Sequence, residues 1–218
     1  MTQETIYHIG TPGTPWGVEE KAQWLAEQSK KRSYFDDVVS KIETFKANFD
    51  VEQYGELAYE SDTYPLFVVR TKNWDAGKPT VLVTGGVHGY ETSGVHGALR
   101  FIETKANEYQ TDFNVVVAPC LSPWGYETIN RWNPAAIDPN RSFVADSPAG
   151  ECANIMNYIA GLGVDILAHI DLHETTDTDN SEFRPAKAAM DGKVNTNWNI
   201  PDGFYLVGNS EKPYPDFQ

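Results

Sequence analysis

The sequence predicts an α/β fold, a mixed and mostly parallel sheet flanked by helices on both faces. Three observations predict it. Short apolar runs rich in β-branched residues recur at 80–84, 114–118 and 166–172, and such runs suit strands buried on both faces. Stripes at helical spacing separate them, as in sheets covered by helices. No internal repeat or flexible linker divides the 218 residues, so one domain over 1–218 is expected.

Val18, Ala22 and Leu25, then Val38, Ile42 and Phe45, repeat at helical spacing and predict two opening helices. Pro65 to Val69 predicts a strand, and Asn73 to Lys78 a turn into the strand at Val81. Val95, Ala98, Leu99, Ile102 and Ala106 mark one helical stripe; Cys152, Ile155, Met156 and Ile159 mark another. Between Ser122 and Ala149 stand four prolines and little periodicity, which predicts a long functional loop. Gly203 to Val207 predicts a last strand.

Composition narrows the partners. Seventeen basic against 31 acidic side chains give a net charge of −14, which disfavours nucleic acid or an anionic membrane as partner. No apolar run approaches the roughly 18 residues of a membrane helix. Met1 to Thr5 lacks the start of a secretory signal, and the two cysteines form no paired motif, so a cytoplasmic location is expected.

His88-Gly89-Tyr90-Glu91 carries the chemistry. It follows a strand and a Gly85-Gly86 turn, so His88 and Glu91 share one face at the mouth of a helix. An imidazole and a carboxylate at that spacing can reach one Zn²⁺ at roughly 2.0–2.2 Å. The plainer reading is a hydrogen-bonded loop histidine beside a glutamate that favours a helix start. A third ligand is needed, and His173, ending the strand at 166–172, is the best placed. His169 lies deeper on the same face and reads as a satisfied core histidine; His96 falls off the ligand face, and His8 lies in an amino-terminal segment with no partner nearby in sequence. Two histidines and one carboxylate leave a coordination position for water, a catalytic arrangement.

With those residues in view, the chain resembles the zinc carboxypeptidase family, which includes pancreatic carboxypeptidases and murein-peptide amidases. The matching pieces are Gly85 to Thr92, Asp138-Pro139-Asn140-Arg141-Ser142-Phe143 and Asp171-Leu172-His173-Glu174, in the family's order. The resemblance implies the family's α/β fold and one zinc ion held by His88, Glu91 and His173. It implies that Asn140 and Arg141 grip a substrate's terminal carboxylate, as a guanidinium fork and an amide can. It also implies that Asp138 hydrogen-bonds the first ligand histidine. Arg131 is a looser match to the arginine that stabilises the oxyanion; a solvent-facing loop arginine is the other reading.

The family's general base, a glutamate on a strand well downstream of the third ligand, has no match after His173, nor has its substrate-capping tyrosine. The chain is therefore expected to lack C-terminal elements of the family. Glu174, Glu182 and Glu211 are the later glutamates, and Glu174 would point away from the metal. The leading expectation is a metallocarboxypeptidase acting on peptides with a free carboxylate. The alternatives are an N-acyl amino acid deacylase resembling succinylglutamate desuccinylases and aspartoacylases, and a zinc-binding module without turnover.

Overall fold

The computed structural model describes residues 7–59, 62–201 and 203–208. Met1 to Thr5 and Glu211, weighed above, lie outside the described residues. Helix α1 (Val18–Ala26) opens the fold. It is followed by a π-turn (Phe35–Val39), α2 (Ser40–Thr44) and a 3-10 turn (Phe45–Ala47). Strands β1 (Phe49–Tyr59) and β2 (Asp62–Thr71) form an antiparallel hairpin. Then come β3 (Thr80–Gly85), α3 (Thr92–Phe101), a π-turn (Ile102–Ala106), α4 (Asn107–Tyr109) and β4 (Asn114–Ala118). The chain continues through α5 (Pro123–Thr128), a 3-10 turn (Pro139–Arg141), α6 (Gly150–Leu162) and β5 (Ile166–Leu172). A π-turn (Asp179–Phe183) and α7 (Arg184–Met190) close the helical part.

The five strands lie in the order β1-β2-β4-β3-β5. β4, β3 and β5 pair in parallel, whereas β2 pairs antiparallel with both β1 and β4. The mixed α/β architecture is the expected one, with its parallel part confined to three strands. Alternation along these strands feeds two cores. Val83, Val115 and Val117 pack on the same side as Val95, Ala98 and Leu99 of α3. Leu82, Val116 and Ala118 pack on the other side with Ile155 of α6. Helices thus cover both faces. Among the described residues no helix is long and apolar enough to cross a membrane.

Three expectations are corrected. Gly203 to Val207 is not a strand; it has no regular structure, and Phe204 and Val207 are exposed. The stretch from Ser122 to Ala149 is not one long loop, because α5 and a 3-10 turn lie within it and every residue of α5 is buried. Helix α1 exists, but Val18, Ala22 and Leu25 are exposed and Trp24 faces inward. Its indole lies 6.1 Å from the ring of Trp124 and 5.7 Å from that of Trp132, burial that three small aliphatic contacts would not match. At the other side of the sheet β5 is the outer strand of the five, and its Leu167 and Ile170 are exposed.

Candidate metal centre

Two parallel strands deliver the centre. β3 and β5 are neighbours, with Gly85 opposite Leu172, so the segments leaving their carboxyl ends start side by side. Ligands in open α/β sheets bind at such ends. The backbone beyond β3 turns at Gly86, whose φ of +61° is cheap only for glycine. Gly89 lies against α5 so closely that a Cβ there would sit 2.0 Å from the Gly125 carbonyl carbon. The loop is further tied down where Leu121 and Ser122 donate backbone N–H groups to the Gly85 and Gly86 carbonyls. Tyr90 N donates to the Asn130 carbonyl, and the Ser122 hydroxyl to that of Val87.

The structure brings His88, Glu91 and His173 together: one ligand atom from each lies within 4.8 Å of the others. Nδ1 of His88 is 2.7 Å from Glu91 Oε1, and Nδ1 of His173 is 2.8 Å from Glu91 Oε2. His88 and Glu91 are buried, while the His173 side chain keeps 35% of its surface exposed. Both imidazoles thus turn the same nitrogen to one carboxylate and the other nitrogen outward. Nε2 of His88 meets Asp138 Oδ1 at 3.0 Å, and Nε2 of His173 meets Asp171 Oδ2 at 2.8 Å. A carboxylate behind each imidazole fixes its tautomer and raises its basicity, as at zinc sites. The donor set therefore fits a zinc ion with an open position.

Burial opposes charge on Glu91, but hydrogen bonds from His173 and His88 outweigh it and hold the carboxyl below its ordinary range. Burial likewise works against Asp138, yet His88 and Arg131 bring it down to about 2. Burial would lower His173; its bonds to Asp171 and Glu91 reverse this and push it up to about 10.

Asp138 organises the neighbouring residues. Its Oδ1 also accepts Asn140 N at 3.0 Å, which sets the 3-10 turn carrying Asn140 and Arg141 beside His88. Arg141 is exposed, and its guanidinium contacts only its neighbour's carbonyl, Asn140 O at 3.5 Å, among the described residues. Arg131 is not a solvent-facing loop residue. Its Nε donates to Asp138 Oδ2 at 3.2 Å, and Nη1 lies 3.8 Å from Asp179 Oδ1. Asp179 in turn accepts the Tyr90 hydroxyl at 2.8 Å, and the Tyr90 ring packs 4.4 Å from that of Phe183.

The other histidines are engaged elsewhere: His169 with the Thr84 hydroxyl, His96 with that of Tyr126, His8 with Glu27. His169 is exposed on the outer strand and so is not a core residue. Glu174 accepts Ser93 N in the first turn of α3, away from the centre, and Glu182 accepts the Tyr7 hydroxyl. Sequence reasoning missed Asp171 as the partner of His173, although the i, i+2 alternation of a strand puts both on one face. Asp179 left no such signal.

Glu151, in the first turn of α6, braces the same loop from beneath. It accepts the Tyr59 hydroxyl at 2.6 Å and Asn133 Nδ2 at 3.3 Å, while Asn133 Oδ1 accepts Ala135 N and Ile137 N. Among the described residues no cation pairs with it, and burial raises its pKa above the ordinary 4.5. The protonated carboxyl is therefore the form the fold prefers. Its contribution is complete below about pH 4.5 and fades as pH climbs through the raised value. Glu151→Gln is expected to gain Tm relative to the parent as pH rises from about 4.5 to 8. A Tm difference that stays constant across that range would contradict the assignment.

The sequence from 49 to 161, just over half of the chain, matches the zinc carboxypeptidase family. The chain belongs to this family. Its fold is similar to that of a Shewanella denitrificans protein described as a candidate metallopeptidase. That likeness has a TM-score of 0.54 and 18% identity, over 65% of this chain and 52% of that one. A Shewanella amazonensis protein of the same description gives 0.53 and 24%, over 65% and 54%. Bovine thrombin-activatable fibrinolysis inhibitor, solved with tick carboxypeptidase inhibitor, gives 0.54 and 16%, over 74% and 70%. This chain thus spans about half the length of the two Shewanella proteins. Among curated proteins none matches the sequence significantly.

Proposed function

We propose that this chain is a zinc-dependent metallocarboxypeptidase that hydrolyses the last amide bond of a peptide with a free terminal carboxylate. The observation that carries the reading is the convergence of two Nδ1 atoms on the two oxygens of one buried glutamate, with a carboxylate behind each imidazole. His88, Glu91 and His173 would hold one zinc ion. Zinc supplies Lewis acidity and acidifies a water to a pKa of about 7.

The remaining work falls to protein groups. Arg141 and Asn140 hold the substrate's carboxylate, and Asp138 orients both His88 and their turn. Arg131, steadied between Asp138 and Asp179, serves the oxyanion. Asp171 orients His173. A cytoplasmic setting belongs to this reading and is supported by two free, buried cysteines.

A second reading, a zinc-binding module without turnover, is favoured by one observation: Glu174 and Glu182 are both committed to other partners. Zinc content measured beside turnover on C-terminally free peptides and N-acyl amino acids separates the readings. One zinc per chain with release of terminal residues supports the peptidase. Bound zinc and peptide with no product supports the module, and cleavage of acyl-amino acids alone moves the function to a deacylase.

A further inference from the structure

We infer that Arg32 is a positioning residue for the metal loop, holding the chain on either side of Glu91, through the Gly89 carbonyl and the Thr92 hydroxyl, in the geometry that zinc requires. The inference rests on the zinc-site reading above and adds a residue from outside the matched family segment, which begins at residue 49.

Arg32 spends its guanidinium on three acceptors. Nη2 donates to the Gly89 carbonyl at 2.9 Å, Nη1 to the Thr92 hydroxyl at 2.7 Å, and Nε to the Tyr126 carbonyl at 2.6 Å. Its Cζ also stacks 3.6 Å from the centre of the Tyr126 ring. Gly89 lies between the two ligands of the loop, and Thr92 follows Glu91 directly. One rigid, planar group therefore fixes both flanks of Glu91 relative to each other and to α5.

None of these direct partners is a carboxylate, so Arg32 is not placed as half of an ion pair. Tyr126 is itself anchored, its hydroxyl lying 3.1 Å from Asp37 Oδ2 and 3.2 Å from His96 Nε2. The loop is thus clamped from two directions: Gly89 abuts the α5 backbone on one side, and Arg32 grips its carbonyl on the other. A site left loose by about 1 Å loses function even with its ligands present. A lysine keeps the charge but offers a single ammonium on a flexible stem, which cannot serve three diverging acceptors in one plane.

The test measures the zinc dissociation constant by competition with a chromophoric chelator, alongside the Tm of each chelator-treated protein. Arg32→Met keeps the apolar stem and is expected to weaken zinc binding by about tenfold or more, the lower end of the 10–100-fold cost of losing support around a ligand. Arg32→Lys is expected to fall between Met and the parent. Thr92→Val removes one acceptor without disturbing the arginine and is expected to weaken zinc binding a few-fold. A folded Arg32→Met protein with lower Tm but the parent's zinc affinity would make Arg32 a plain stabilising brace and overturn the inference. If Arg32→Met fails to fold, Thr92→Val decides, and an unchanged zinc affinity there overturns it equally. A parent protein that binds no zinc would instead sink the zinc-site reading, and this inference with it.

Discussion

Replacing His88 with alanine is expected to remove stoichiometric zinc and, with it, release of terminal residues from peptides. His88 offers one of three converging atoms that could hold a metal, and the two that remain, on Glu91 and His173, approach each other through Glu91 Oε2. The loss should exceed the roughly 10–100-fold that removal of an outer hydrogen bond to a ligand costs. A second consequence follows from burial. Asp138 and Glu91 both lose their hydrogen bond to His88. Glu91 retains His173, and Asp138 retains Arg131. Leaving buried carboxylates with fewer partners costs stability, so a fall in Tm is expected as well. Metal analysis by mass spectrometry after dialysis, with circular dichroism to verify the fold, makes the check. A folded His88→Ala protein that retains one zinc and full turnover would exclude the site.

The parts of the molecule that were legible in the sequence are those whose signal is local. β3 and β4 announced themselves because strands buried on both faces are written as unbroken apolar runs. β5 did so through the apolar residues Ile166, Leu167, Ile170 and Leu172, although as an outer strand it is largely exposed. α3 did so because Val95, Ala98 and Leu99 repeat on one face and are all buried. β1 was invisible for the opposite reason. Among the described residues it pairs with β2 alone, and Glu52, Gln53 and Glu56 along it leave little apolar run to read. It is also broken by an irregularity between Gln53 and Gly55, where a Cβ on Gly55 would collide with the Asn154 side chain. Conversely, Gly203 to Val207 has strand composition without strand structure, because a strand exists only through a neighbour and pairing is not written in local composition.

The site divides along the same line. His88, Glu91 and His173 were found through spacing and strand ends, and Asp138 through its motif. The groups that aim them were not. Arg32 lies 57 residues from Gly89 in sequence, and Asp179 lies 89 from Tyr90, so only the folded chain makes them neighbours. Asp171 stood in plain view two residues before His173, but alternation alone made it one acid on a strand face. Its meaning came with the 2.8 Å contact to Nε2.

Arg141→Ala is expected to raise KM for peptides with a free terminal carboxylate by about 10–100-fold while leaving zinc content unchanged. The magnitude follows from hydrogen bonds to charged groups, worth about 1.5–3 kcal/mol, at about 1.4 kcal/mol per decade. The geometry supports an effect on binding more than on chemistry. Arg141 is exposed, makes no close ion pair among the described residues, and stands on the turn that Asp138 anchors. Arg141→Lys should recover part of the loss, since charge survives but the two-pronged grip does not. Amidated peptides supply the decisive comparison. If Arg141 reads the carboxylate, amidation should penalise the parent strongly and the alanine variant hardly at all. Equal penalties in the two proteins would mean that the carboxylate is held elsewhere, and that Arg141 is a surface cation with no part in recognition.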